Sequence, residues 1–427
     1  AEFSRFTDDI QMLHSFLSRP YHAQFVRAML ETRRPDVVLI SHSEFGYHLL
    51  PFMRSVHPDA IYLDYTHCVS PYWINFPAIG AAWQSQLDCN ICSSENLKSW
   101  IAEQGAQLDK IEVVTTNIDT DLWAPDFELR KKIREEFQIP AGQAVILYSC
   151  RLAFEKQPQV FARVMRALRD DGHDFVALVC GDGEERGWLE RYIADHQLEG
   201  RVRLCGKVPN ARMKEILQAS DIFFLPSMNE GISLALYEAM AVGKTAVVAD
   251  VGGQRELVID GTGFIIPRAD EQLEAESYHK VLSYLLKNPA QLEQIGMQAR
   301  KRVQTHFRLD QMVDRMLEIF QRRMERKSSL ELQLIDTRRA LQVARDALEY
   351  GRLGRQIVTR ILSAREIGER LQKMAGEMQA LEEQKSALLH DAQQLQSTHQ
   401  RYANEVQALE QSKQRVLQDL VTSARTL

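Results

Sequence analysis

The residues best suited to chemistry in this 427-residue chain lie in the run PSMNEGISLALYEAMAVGK, Pro226 to Lys244. Glu230 falls in a loop, Gly231 lets another backbone approach closely, and Ser233 is placed to cap the helix that follows. The first turn of that helix offers unpaired N–H groups and the positive end of a dipole, which suits a phosphate. Glu238 sits about one turn inside the same helix. A carboxylate before the helix and one within it can each accept hydrogens from ligand hydroxyls while phosphates rest between them. Upstream, SCRLAFEKQ sets Arg151 and Lys156 beyond a strand, where a diphosphate can use a fork-shaped donor and a point charge. Gly181-Asp182-Gly183 follows another strand. Taken singly, each group also has a plainer reading: a loop and a helix-surface glutamate, two solvated cations, a tight strand–helix turn.

Such residues need a scaffold that gathers strand ends. Apolar runs of strand length recur at Val37 to Ser41, through Tyr62 and Leu63, at Leu87 to Cys92 and at Ile111 to Val114. The second of these delivers His67 just past its end. A charged stretch, Asp126 to Pro140, reads as a connecting helix and loop. A second series follows: Ala144 to Cys150, Phe175 to Cys180, Arg201 to Cys205, Ile222 to Leu225, Thr245 to Ala249 and Phe264 to Ile266. Strands separated by helical stretches require crossovers and so parallel sheets, which bind ligands outside the carboxyl ends of their strands. The expected fold class is α/β: two doubly wound Rossmann-like domains, followed by a long α-helical coiled coil. The domains are set at residues 1–137, incomplete, and 138–289. Closing helices over 290–327 then pack back on them. Cys89 and Cys92, three apart in a strand, point to opposite faces and lack a second Cys or His pair, so no metal or redox site is expected there.

In their order, CRLAFEK, VCGDGEE, the run from Val202 to Lys244, VADVGGQREL and GTGFIIP resemble the donor-binding domain of retaining glycosyltransferases of family 4, which have the GT-B fold. The resemblance is close over residues 113–267 and looser over 35–92. It implies that Arg151 and Lys156 hold a donor diphosphate and its developing charge. It implies further that Glu230 lies near the transferred sugar, that Glu238 holds the nucleotide ribose, and that Lys207 and Val208 lie against the base. Gly231, Ile232, Ser233 and Leu234 match a backbone cradle, Gly181 belongs to the donor-binding set, and His67 matches a first-domain histidine facing the sugar. The resemblance implies no metal and no cofactor beyond a nucleotide-diphosphate sugar as donor substrate. The expected activity is retaining hexosyl transfer to a glycan or lipid-linked acceptor, in bacterial cell-surface polysaccharide (O-antigen-like) assembly. The alternative is a coiled-coil scaffold with an inactive glycosyltransferase-like domain. Where the family has Pro-Asn-Gly, this chain has Thr115-Thr116-Asn117, and the turn is expected to survive on asparagine's tolerance of positive φ.

The last third differs in kind. After Pro289 there is no proline, cysteine or tryptophan, which suits long helix. An early seam, Leu330, Leu334, Leu341 and Leu348, meets a break near Gly351 and Gly354 within the extension over 328–427. From Ile367 to Leu420, 13 of 16 positions in a four–three rhythm are apolar, the exceptions being Lys385, His399 and Lys413. That pattern predicts a coiled coil and homo-oligomerisation. The formal charge is −6, and the 14 basic and 13 acidic residues from Ser328 onward nearly cancel, so the acidity belongs to the body of the protein. An acidic body argues against nucleic-acid binding. No apolar run spans a membrane and the cysteine usage suits a reducing compartment, so a cytoplasmic location is expected, with room for peripheral contact at the inner face of the plasma membrane. The start at Ala1 and the uncapped final residues lead to the expectation of a fragment of a longer protein.

Overall fold

A computed structural model describes residues 6–70, 74–326 and 341. Four strands, β1 (Val37–Ser41), β2 (Ile61–Thr66), β3 (Cys89–Cys92) and β4 (Ile111–Val113), form a parallel sheet in that order. Six more, β5 (Ala144–Ser149), β6 (Phe175–Cys180), β7 (Val202–Gly206), β8 (Ile222–Leu225), β9 (Thr245–Ala249) and β10 (Gly263–Ile266), form a second parallel sheet in the order β10-β9-β8-β5-β6-β7. The order reverses between β5 and β8. The crevice beyond the carboxyl ends of these two strands is therefore where a ligand belongs.

Burial on both faces explains why β5, β6, β8 and β9 read as near-continuous apolar runs, whereas β2, β3, β4 and β7 each carry a polar or charged residue. In β2, Ile61, Leu63 and Tyr65 pack on one side with Ile319, while Tyr62 packs on the other with Tyr47, Leu49, Leu50 and Phe52 of the helix Glu44–Val56. That division follows from the two-residue period of a strand. Ile319 belongs to the helix Leu309–Arg326, which returns to the first sheet, and its Arg315 and Arg323 pair with Glu112 of β4 at 3.0 and 3.1 Å. The second sheet is covered by the helices Pro158–Asp170, Asn210–Ala219, Glu271–Lys287 and Pro289–His306, and it carries the main core. The connecting helix Phe127–Glu136 packs on this second unit. Its Arg130 and Arg134 bond Asp221 and the last carbonyls of the helix Asn210–Ala219, while Ile118 and Trp123 enter the same core.

Asn117 does not take the positive φ expected of it. Its side chain supplies the turn instead, donating to the Arg308 carbonyl at 2.8 Å, while Ile118 bridges to Arg308. Cys89 and Cys92 are buried in β3, and burial pushes both thiols up to about 12. Among the described residues, no group of three or more His, Cys, Asp or Glu is arranged to hold a metal, and no helix is long and apolar enough to cross a membrane. The predicted coiled coil and the break near Gly351 and Gly354 lie outside the described residues. Leu341, from the early seam, packs partly buried against the Leu30 and Leu50 cluster.

Candidate active site

The loops at the carboxyl ends of β5, β6, β8 and β9 converge at the switch point. Leu152 N–H donates to the Asp182 carbonyl (3.0 Å), Met228 N–H to Glu155 (2.7 Å) and Gly253 N–H to Gly231 (2.8 Å). Two motifs that lie apart in sequence therefore meet: Lys156 Nζ donates to Glu230 Oε1 at 2.6 Å, and Ser227 Oγ donates to the same oxygen at 2.8 Å. Lys156 is held there by its backbone. Tyr148 donates its hydroxyl to the Lys156 carbonyl (2.8 Å), and Gln157 takes φ +54°, its side chain bonded to Arg268 and Glu274. Arg151 stands at the end of β5, half-exposed and paired with Glu155.

Glycines set the approach distances. Gly181, at φ +149°, lies against the Cys150 carbonyl so closely that a Cβ would overlap it, and its N–H donates to Gly206 (2.8 Å). Gly231 lies in the same way against the carbonyl of His67, from the first sheet. Ser233 occupies the N-cap of the helix Leu234–Ala241, but its hydroxyl makes no capping bond. The helix start is thus unsatisfied by its own cap and faces outward, with the Leu234 side chain exposed and Ile232 buried in the core. Glu238 lies partly buried one turn on. Its carboxyl has no hydrogen-bond or ion-pair partner among the described residues, and burial pushes it up to about 7.

From the first sheet, β2 delivers His67 to the opposite wall. Its ring stands 4.2 Å from Tyr65 and 4.9 Å from His42, centroid to centroid. Burial, and then the neighbouring His42, lower its pKa to about 4, so the imidazole is neutral. The next residue, Cys68, feels both Glu230, which raises its thiol, and Lys156, which lowers it, although burial raises it most. Further contacts tie the walls together: Asn229 Nδ2 donates to the Val69 carbonyl at 2.8 Å, and Glu256 accepts from the N–H groups of Glu95 and Asn96 at 2.9 and 2.8 Å. Glu256 thereby caps the first-domain helix Glu95–Glu103 from the other domain.

Arg151, Lys156, Glu230, Gly231 and His67 are therefore brought together. Lys207 is exposed beyond β7 and Val208 packs at the edge of the main core, outside this cluster of side-chain contacts. Sequence reasoning passed over His42, Ser227, Asn229 and Glu256. Ser227 and Asn229 lay inside the Pro226–Lys244 run and Glu256 inside VADVGGQREL, just past Gly252-Gly253. It also passed over Asp119-Thr120-Asp121, an Asp-x-Asp sequence. There Asp119 Oδ1 accepts from the N–H groups of Asp121 (3.0 Å) and Leu122 (2.9 Å), a turn-forming use beside the Arg308 crossover. A cavity of about 1350 Å³ lies elsewhere, between the loop before β10 and the helix Pro289–His306; Arg255 and residues 261–265 of the last two motifs line it, but none of the candidate site residues does.

The architecture is that of a GT-B protein: two parallel Rossmann-like sheets facing across a cleft. Residues 130–302 match the family described as "Glycosyl transferases group 1", so the chain carries a group 1 (family 4) glycosyltransferase domain. It is 31% identical over 210 residues to the amylovoran biosynthesis glycosyltransferase AmsK of Erwinia amylovora, covering 48% of each chain. Over 239 residues it is 27% identical to a D-inositol 3-phosphate glycosyltransferase of Xylanimonas cellulosilytica, covering 55% of this chain and 56% of that one. The chain thus spans about half the length of the curated relatives it matches. Its fold superposes on Anabaena Alr3699/HepE, solved in complex with UDP, with a TM-score of 0.62 at 19% identity, over 74% of this chain and 85% of that one. A glycosyltransferase from Rickettsia africae superposes with a TM-score of 0.60, likewise at 19% identity, over 71% and 80%.

Proposed function

We propose that the chain is a retaining glycosyltransferase that moves a hexosyl group from a nucleotide-diphosphate sugar to a glycan or lipid-linked acceptor. The observation that carries this reading is the Lys156–Glu230 contact at the switch point, next to the uncapped start of the helix Leu234–Ala241 and opposite His67. As the bond from the anomeric carbon to the diphosphate breaks, negative charge grows on the leaving oxygens. Lys156, Arg151 and the helix N–H groups stabilise that charge in place. Glu238, unpaired and pushed toward neutrality, accepts hydrogen bonds from the ribose hydroxyls. Glu230 accepts from the sugar hydroxyls, and neutral His67 faces the sugar from the other domain. Lys207 and Val208 lie against the base, and Gly231, Ile232, Ser233 and Leu234 line the sugar–phosphate cradle.

The likeness to AmsK, whose name places it in amylovoran biosynthesis, supports an acceptor in cell-surface polysaccharide assembly, with O-antigen-like glycans the narrower proposal. UDP in the HepE structure supports a UDP-sugar donor. The heptad pattern over residues 367–420 supports self-association, tested by sedimentation of that segment: a monomer at micromolar concentration refutes it. A cytoplasmic site of action follows from the supply of nucleotide sugars there. The function is tested by incubating the full chain with radiolabelled UDP-glucose, UDP-galactose and UDP-N-acetylglucosamine and following release of UDP. Release from at least one donor, abolished by Lys156→Ala, is expected. Failure of the wild type to bind any nucleotide sugar supports the scaffold instead.

A further inference from the structure

His42 follows β1 with φ +44°, a left-handed backbone that side chains adopt rarely and that persists where surrounding contacts hold it. Its ring reaches the end of β2. Nε2 accepts the backbone N–H of His67 at 3.0 Å, and its other neighbour, Phe76, stacks at 4.9 Å and 26°. A ring nitrogen that accepts a hydrogen bond carries no proton, so the ring hydrogen of His42 is on Nδ1. The His67 peptide is fixed at its other end as well. Ser93 Oγ donates to its carbonyl at 2.9 Å, and Gly231 packs where a Cβ would overlap that oxygen. Among the described residues, the His67 side chain has the edge of Tyr65 and a long approach of Thr116 Oγ1 to Nδ1, 3.5 Å, besides the His42 ring. The aim of the His67 ring is thus set mainly by the peptide it grows from and by the imidazole against it.

We infer that His42 is a positioning residue: its neutral imidazole, held in a left-handed turn, locks the His67 peptide and so aims the His67 ring into the cleft. This rests on the proposed function, in which His67 faces the transferred sugar. Three substitutions separate the acceptor atom from the backbone conformation. Gln offers an amide oxygen at the reach of Nε2, and this chain already holds Gln138, Gln157 and Gln197 at positive φ. Asn tolerates the same backbone but is too short, and Leu supplies neither.

The test uses the full chain labelled with ¹⁵N-histidine. In the wild type, His42 Nε2 is expected unprotonated and Nδ1 protonated. The His67 amide resonance should shift in His42→Asn and His42→Leu and return in His42→Gln. With UDP-glucose turnover as the second readout, Asn and Leu should lower kcat at least about tenfold with KM within about threefold, and Gln should restore it. A protonated Nε2, wild-type turnover in the Asn and Leu variants, or a Gln variant no better than Leu overturns the inference. If the wild type neither binds UDP nor turns over UDP-glucose, the functional reading fails for that donor, while the imidazole and amide spectra still decide the role of His42.

Discussion

At rest, each cation of the site already holds a carboxylate: Lys156 holds Glu230, and Arg151 holds Glu155. A diphosphate must therefore compete for them, which separates the roles of Lys156 and Glu230. Their side chains are 18% and 12% exposed, between a surface pair worth about 0–1 kcal/mol and a buried one that costs about 3–5 kcal/mol to break. Ser227 stays on Glu230 when the lysine is removed, so we take about 1–2 kcal/mol as the coupling. Glu230→Gln frees Lys156 and removes a negative charge beside the phosphates. UDP should bind about fivefold tighter, roughly 1 kcal/mol. Lys156→Ala should weaken UDP about thirtyfold, roughly 2 kcal/mol. Both variants should lose about 10²-fold or more in turnover, because each removes a group acting on the reacting sugar or leaving group. Calorimetry of UDP with the wild type, both single variants and the double variant measures the cycle. If Glu230→Gln weakens UDP as Lys156→Ala does, or the single effects add within about 0.3 kcal/mol, the pairing argument is wrong.

Three further outcomes follow from the same geometry. Burial raises the folded-state pKa of Glu238 to about 7 from its ordinary 4.5, so the folded protein binds the extra proton and stability falls as pH rises between these values. Glu238→Gln should therefore raise Tm at pH 8, on the order of 3 kcal/mol of relief, with no gain near pH 4; calorimetric melts at both pH values check it. Gly231→Ala places a methyl against the His67 carbonyl and should cost about 1–3 kcal/mol together with most of the turnover. Equal activity and Tm in that variant would show that the two walls do not close on this glycine. Glu256→Ala leaves the Ser94 cap of the helix Glu95–Glu103 in place but strips the acceptor from its first two N–H groups, and should cost about 1 kcal/mol in chemical unfolding. The small-angle scattering radius should also grow if this carboxylate holds the domains together.

The strands were legible because a parallel sheet covered on both faces favours apolar runs, and even those that Asp64, Asn90, Glu112 and Arg203 interrupt keep apolar neighbours on both sides. The close-packed loops of the candidate site were legible for a related reason. Its residues cluster in loops whose glycines are dictated by backbone approach: Gly181 against Cys150, Gly231 against His67, and Gly252, at φ +54°, against the carbonyls of Glu230 and Gly231. What could not be read were contacts made between the two sheets. Glu256 is an ordinary helix glutamate until the start of another helix, 160 residues earlier in the chain, is brought to it. Asn117 looked like a turn residue by its backbone tolerance but acts through its amide.

His42 shows the limit most sharply. Nothing in a lone histidine after a strand announces a left-handed backbone, because the contacts that hold it there, Phe76 on one side and the His67 N–H on the other, are supplied by distant segments. The same holds for the charge balance of the site. Sequence alone presents Arg151 and Lys156 as free cations awaiting a diphosphate. In the fold both are neutralised in advance by carboxylates, so affinity for the donor depends on how readily Glu155 and Glu230 give way. On the proposed function, a carboxylate that yields the lysine to phosphate is thereby freed to accept from the sugar hydroxyls beside it, which would couple recognition of the diphosphate to recognition of the sugar.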